Sequence, residues 1–123
     1  MLFRSWSPKT VGGGLYCYGN QLKTLFGAPE KVGEDFSCDS NQLTTLAGSP
    51  KTVGGSFWCH QNQLTTLAGA PKTVGGSFYC SNNQLTTLEG APKTVGGFFC
   101  YNNLLPPNKT VEQLLKDARD PKR

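Results

Sequence analysis

The chain has 123 residues, of which 37% are hydrophobic, with five cysteines and a formal charge of +4. That length sets one domain, and a basic excess of this size needs no explanation beyond solubility. No run approaches the ~20 apolar residues of a membrane span, and Met1–Pro8 lacks the apolar core of a signal peptide, so neither export nor a bilayer is expected.

Residues 1–13 read as an N-terminal cap and a partial repeat. Pro8-Lys9-Thr10-Val11-Gly12-Gly13 matches Pro71-Lys72-Thr73-Val74-Gly75-Gly76, but Leu2, Phe3 and Trp6 stand where later copies have Leu-Thr-Thr-Leu. The end of a repeat array has no neighbour on one side, so Phe3 and Trp6 are expected to fold over the first coil, with a self-association patch as the alternative.

Residues 14–103 are repeat coils. The unit running from Asn62 to Asn82 recurs from Asn20, Asn41 and Asn83, and Cys17, Cys38, Cys59, Cys80 and Cys100 lie 21, 21, 21 and 20 residues apart. A fixed period near 20 residues means a solenoid, here of about five coils. The short last step is assigned to a residue missing after Gly97. One short parallel strand per coil is expected around each cysteine, at Leu15–Tyr18, Phe36–Asp39, Phe57–His60, Phe78–Ser81 and Phe98–Tyr101. Alternation sends Leu15 or the Phe and the Cys inward, so Val, Phe, Cys and two Leu per coil form the core, and the cysteines read as buried thiols of a reducing cytoplasm. Asn20, Asn41, Asn62, Asn83 and Asn103 then form a ladder whose amides bond the backbone where the chain leaves the sheet.

Pro29, Pro50, Pro71 and Pro92 forbid helix on the back of the coil, which is expected to be extended or a brief tight turn. The Gly-Gly pairs are read as permitting sharp re-entry into the next strand. They do not form a phosphate loop, because no Gly-Lys-Ser/Thr and no following helix accompany them. Residues 104–123 change character: Thr110-Val-Glu-Gln113 has capping-box spacing, and Val111, Leu114, Leu115 and Ala118 share one helical face. A capping α-helix over about Thr110–Arg119, followed by a basic tail, is expected to close the last coil. A partner-binding or membrane-surface helix is the alternative.

Phe78, Cys80, Asn83, Leu85 and Leu88 follow x-F-x-C-x-x-N-x-L-x-x-L, which resembles the leucine-rich-repeat template. The segment Leu-Thr-Thr-Leu-Ala-Gly-Ala-Pro-Lys-Thr-Val is similar to the short coils of bacterial effector repeats. The whole unit looks like those of bacteriophage-encoded repeat proteins, with L-T-S-L-E-G-A-P-K-x-V-G-G-x-F-x-C-S-x-N units. The resemblance covers residues 8–105. It departs at the first leucine slot, which holds Gly12, Gly33, Gly54 and Gly75 with a valine just before each, so that only Val95 falls in register. It implies a leucine-rich-repeat-like solenoid and, for the phage type, a small cytoplasmic binder acting as an inhibitor of a host or defence complex.

Positions that serve stacking must repeat, whereas positions free of it vary. The residues before each cysteine are Tyr16, Ser37, Trp58, Tyr79 and Phe99; those after it are Tyr18, Asp39, His60, Ser81 and Tyr101. Stacked strands turn these columns into one outward face rich in aromatics that the core does not require. Tyr16, Tyr18, Trp58, Tyr79, Phe99 and Tyr101 are the expected anchors for a protein partner, with Asp35, Asp39 and His60 setting polarity. Asp35 and Asp39 beside Ser37 make an acidic notch suited to Lys or Arg. Simple reinforcement of the sheet by cross-strand contacts is the competing account.

Lys9, Lys51, Lys72 and Lys93 form a second row, interrupted at Glu30-Lys31, which would suit nucleic acid but equally a solvated back face. The threonines at 24, 45, 66 and 87 are read as structural, because adjacent Thr44 and Thr45 diverge and make no flat array. His60 follows Cys59, yet alternation separates them, so no catalytic dyad forms. The single cysteine per coil lacks paired metal spacing. No enzyme activity, cofactor or metal is expected. A homodimer through an exposed solenoid end remains the other partner option beside a purely structural, self-assembling repeat.

Overall fold

The computed structural model describes residues 9–119. They form a parallel β-solenoid of about four turns, with one strand ribbon per 21-residue coil and one C-terminal helix. In the first three coils the ribbon consists of two short segments on either side of the glycines: β1 (Thr10–Val11) with β2 (Leu15–Tyr16), β3 (Lys31–Val32) with β4 (Phe36–Ser37), and β5 (Thr52–Val53) with β6 (Phe57–Trp58). In the last two it runs unbroken as β7 (Thr73–Tyr79) and β8 (Thr94–Phe99). All neighbours pair in parallel, β1-β3-β5-β7 along one half and β2-β4-β6-β7 along the other, with β8 closing both.

The register follows the period. Val11, Val32, Val53, Val74 and Val95 stack, as do Leu15, Phe36, Phe57, Phe78 and Phe98. The ribbon therefore begins earlier than the sequence suggests, at the Thr-Val pair. Backbone bonding runs on beyond the assigned strand through Cys38 N to Trp58 O (2.8 Å) and Ser40 N to His60 O (3.0 Å). Two expectations are corrected here. All five valines share one column, and the missing residue is absorbed before Gly97, because Val74 pairs Val95 and Ser77 pairs Gly97 with an irregularity between them. A bulge at a glycine link takes up one residue without disturbing either flanking column.

The core is a set of vertical columns. Phe36, Phe57 and Phe78 are fully buried and stack with Phe98 at centroid separations of 5.3, 5.2 and 5.3 Å. Val32, Val53, Val74, the cysteines and the paired leucines fill the rest, with Leu43, Leu46, Leu64 and Leu67 wholly removed from water. Each fully buried Val, Leu or Phe contributes about 1.5–3 kcal/mol relative to exposure, and every coil supplies several.

On the back, Ala28 N, Ser49 N, Ala70 N and Ala91 N bond the carbonyls of Leu25, Leu46, Leu67 and Leu88, three residues earlier. Gly27, Gly48, Gly69 and Gly90 sit in these turns with φ of 91–94°, the left-handed position that a type II turn reserves for glycine. The conformational need for glycine thus lies here rather than in the Gly-Gly pairs. Those pairs serve close approach instead: a Cβ on Gly54 would overlap Gly33 O of the preceding coil. The threonines are structural as expected, Thr24, Thr45, Thr66 and Thr87 each accepting from the amide two residues on through Oγ1.

The helix α1 (Val111–Arg119) begins where the capping box places it. Thr110 N donates to Gln113 Oε1 (2.9 Å) and Gln113 N donates to Thr110 Oγ1 (3.1 Å). Leu114 enters the core cluster, with Val111, Leu115 and Ala118 packed against it. Arg119 Nη2 ties the helix end to Pro92 O at 2.7 Å. The helix therefore covers the end of the last coil. The Phe3 and Trp6 cap and the tail residues Lys122 and Arg123 lie outside the described residues.

Candidate functional site: the outward strand face

The face is built from the positions flanking each cysteine, and the asparagine ladder holds it in register. Asn62 Nδ2 donates to Cys59 O of its own coil and Cys38 O of the coil before, each at 3.1 Å, while Oδ1 accepts from Leu43 N at 2.9 Å. Asn41, Asn83 and Asn103 repeat this pattern. The turn into each asparagine uses a residue with positive φ: Ser40 (57°), Gln61 (56°), Asn82 (58°), Asn102 (55°) and Gly19 (68°). The sequence hints of this are Gly19 and the asparagines Asn82 and Asn102, residue types that tolerate the left-handed region.

Outside this frame, Trp58 stacks on Tyr79 at 3.9 Å and 10°, and Tyr79 on Phe99 at 5.1 Å and 9°. Tyr101 tilts against Phe99 at 6.5 Å. Tyr16, Tyr18 and Tyr101 are 59%, 58% and 70% exposed. The six aromatics named from the sequence therefore share one wall, separate from the phenylalanine column inside. Among the described residues, Tyr16 and Tyr18 make no ring contact with another aromatic.

The polar residues gather at the second and third coils. Ser37 Oγ donates to Asp39 Oδ1 at 2.6 Å, and His60 Nε2 lies 3.4 Å from Asp39 Oδ2. The His60 ring meets Trp58 edge-on at 6.0 Å. Asp35 Oδ1 accepts from Ser56 N at 2.8 Å, so this carboxylate also completes the sheet at a kink. Tyr16, Tyr18, Asp35, Ser37, Asp39, Trp58 and His60 together line an open hollow of about 350 Å³. The sequence places Ser37 beside the acidic notch but not among the binding residues, although it is the one small residue in a column otherwise made of aromatics. That interruption is the signal that would have found it.

The thiols lie behind this wall. Cys38 and Cys59 are fully buried, and Cys59 is thereby separated from the outward His60. Burial, with the Asp39 charge adding to it, pushes the Cys17 thiol up to about 12. Burial first and neighbouring thiols second push Cys38, Cys59 and Cys80 well above the ordinary range. Such groups stay protonated and unreactive at neutral pH. Among the described residues, no three His, Cys, Asp or Glu side chains group as metal ligands, and no helix is long and apolar enough to cross a membrane.

The lysine row falls elsewhere on the coil. Lys9, Glu30, Lys51, Lys72 and Lys93 align through amide-to-carbonyl bonds of 2.8–3.0 Å and are all exposed. The glutamate interrupts the cationic column.

No family model, curated protein or solved structure matches the chain. Its solenoid architecture thus rests on the internal repeat and the strand register.

Proposed function

We propose that this chain is a non-enzymatic interaction module whose outward strand face binds another protein. The observation that carries this reading is the Trp58–Tyr79–Phe99 stack on the outside of a solenoid whose inside is already filled by a separate phenylalanine column. Sheet reinforcement accounts for part of the stack, at about 0.5–1.5 kcal/mol per ring pair. It gives no reason for Tyr16 and Tyr18, which stand more than half exposed. Large amphipathic rings of this kind are what protein interfaces concentrate at their centres. The phage-type look of the repeat units extends the reading to inhibition of a host or defence complex in the cytoplasm, a task that a rigid surface without catalytic groups can perform by occlusion alone.

The test compares the wild type with W58A/Y79A in capture from a host lysate, the bound proteins being identified by mass. Loss of two anchors is expected to weaken binding by about 700-fold, each contributing about 2 kcal/mol, while circular dichroism and thermal unfolding show the solenoid retained. Undiminished capture by the folded double variant would overturn the proposal. Salt-sensitive retention on heparin, lost in K51E/K72E/K93E, would instead assign the ligand to nucleic acid.

A further inference from the structure

The aromatic stack ends abruptly. Phe99, Tyr79 and Trp58 continue one another ring on ring, and the next rung presents Ser37, so among the described residues no second ring stacks on Trp58, and His60 meets it only edge-on at 6.0 Å. The 3.9 Å separation of Trp58 from Tyr79 is shorter than the ~4.8 Å between strands. The Trp58 and Tyr79 rings are thus drawn together, and the small Ser37 side chain leaves the rung beside Trp58 open. On the far side the Tyr16 ring folds along its own rung over Gly14, where an added Cβ would come within 2.6–2.8 Å of the ring and its hydroxyl. The result is the hollow of about 350 Å³, enough for one long side chain.

Its charge is unbalanced. Asp35 and Asp39 stand two residues to either side of Ser37 and so emerge on the same face. Among the described residues no lysine or arginine lies within ion-pair distance of either, and His60 is the one basic group beside Asp39. The Asp39 side chain is only 15% exposed, so water screens it incompletely.

We propose that this hollow receives an arginine side chain of the protein partner, its guanidinium lying against Trp58 on the side of Ser37 and donating to Asp39 and Asp35. The inference rests on the protein-binding reading above. A guanidinium fits better than an ammonium because it is planar, weakly hydrated and carries a fork of five donors for two carboxylates, and it stacks on indole. A trimethylated ammonium would enjoy the aromatic walls but has no N–H for the carboxylates. An apolar side chain would bring no cation to either carboxylate.

The hollow is tested without the partner, by following the Trp58 indole N–H and the tyrosine ring signals of the full chain by NMR during titration with N-acetyl-arginine methylamide. The lysine, trimethyl-lysine and norleucine analogues are titrated in parallel. Saturable shifts are expected with the arginine amide, weaker by about threefold or more with lysine and trimethyl-lysine, and none with norleucine. D39N should weaken arginine binding about fivefold or more. S37F, which continues the ring column the other coils already carry, should abolish it. The absence of arginine-dependent shifts, equal or tighter binding of another analogue, or undiminished binding by S37F would each overturn the proposal. If S37F and D39N both capture the partner that W58A/Y79A loses, the arginine site fails while the aromatic face stands.

Discussion

Replacement of Asn62 by alanine should destabilise the solenoid far more than the same change at Asn20, although both occupy the same column. Asn62 is 8% exposed; its amide holds Cys38 O, Cys59 O and Leu43 N. Both carbonyls keep one asparagine when it is lost, Cys38 O from Asn41 and Cys59 O from Asn83. Leu43 N–H loses its partner inside the core. An unsatisfied buried donor costs about 1–3 kcal/mol and each further lost bond about 0.5–1.5 kcal/mol, so N62A should lose about 3 kcal/mol. Asn20 is exposed and its side chain donates only to Cys17 O and Tyr18 O of its own coil, where water can substitute. N20A should therefore lose less than about 1 kcal/mol. Urea unfolding at neutral pH, with equal m-values, measures both. Equal losses, or a loss below about 1 kcal/mol for N62A, would refute the account of the ladder as the element that holds adjacent coils together.

Two further outcomes follow from the stacking. G54A should cost about 1–3 kcal/mol, the usual penalty of overpacking, because its Cβ meets Gly33 O, whereas G12A, with nothing within 4 Å, should stay within about 0.5 kcal/mol of the wild type; similar melting temperatures for the two would contradict the close-approach reading. Stability should also fall in alkali: unfolded thiols ionise near pH 9 while the buried ones, Cys17 up to about 12, hold their protons. The stabilisation is complete below pH ~9 and declines above it, by about 1.4 kcal/mol per pH unit for each thiol until its folded value is passed. C59A should flatten that slope by one thiol's share, and a urea midpoint that does not fall between pH 9 and 10.5 would contradict the burial.

The legible part of the fold is whatever repeats. The 21-residue spacing of Cys17, Cys38 and Cys59 sets the coil, alternation about each cysteine separates Phe57 from Trp58, and Thr110 with Gln113 marks the helix start. These are local or periodic signals, carried by residues whose chemistry leaves little choice. The six outward aromatics fall on one wall by the same argument.

Chain order alone determined that this protein is a stack of like coils with buried thiols and an outward aromatic column, because identical units can satisfy their inner faces only by lying in register on one another. Tertiary structure decided where the glycines are needed, at Gly48 for its positive φ and at Gly54 for the carbonyl beneath it, and which link absorbs the residue missing from the last coil. It also turned Ser37 from one letter in a column into the floor of a hollow lined by Trp58 and Tyr16. The Gly54 contact, the absorbed residue and the Ser37–Trp58 side of the hollow depend on contacts between residues 20 or 21 positions apart, whose distances no local pattern encodes.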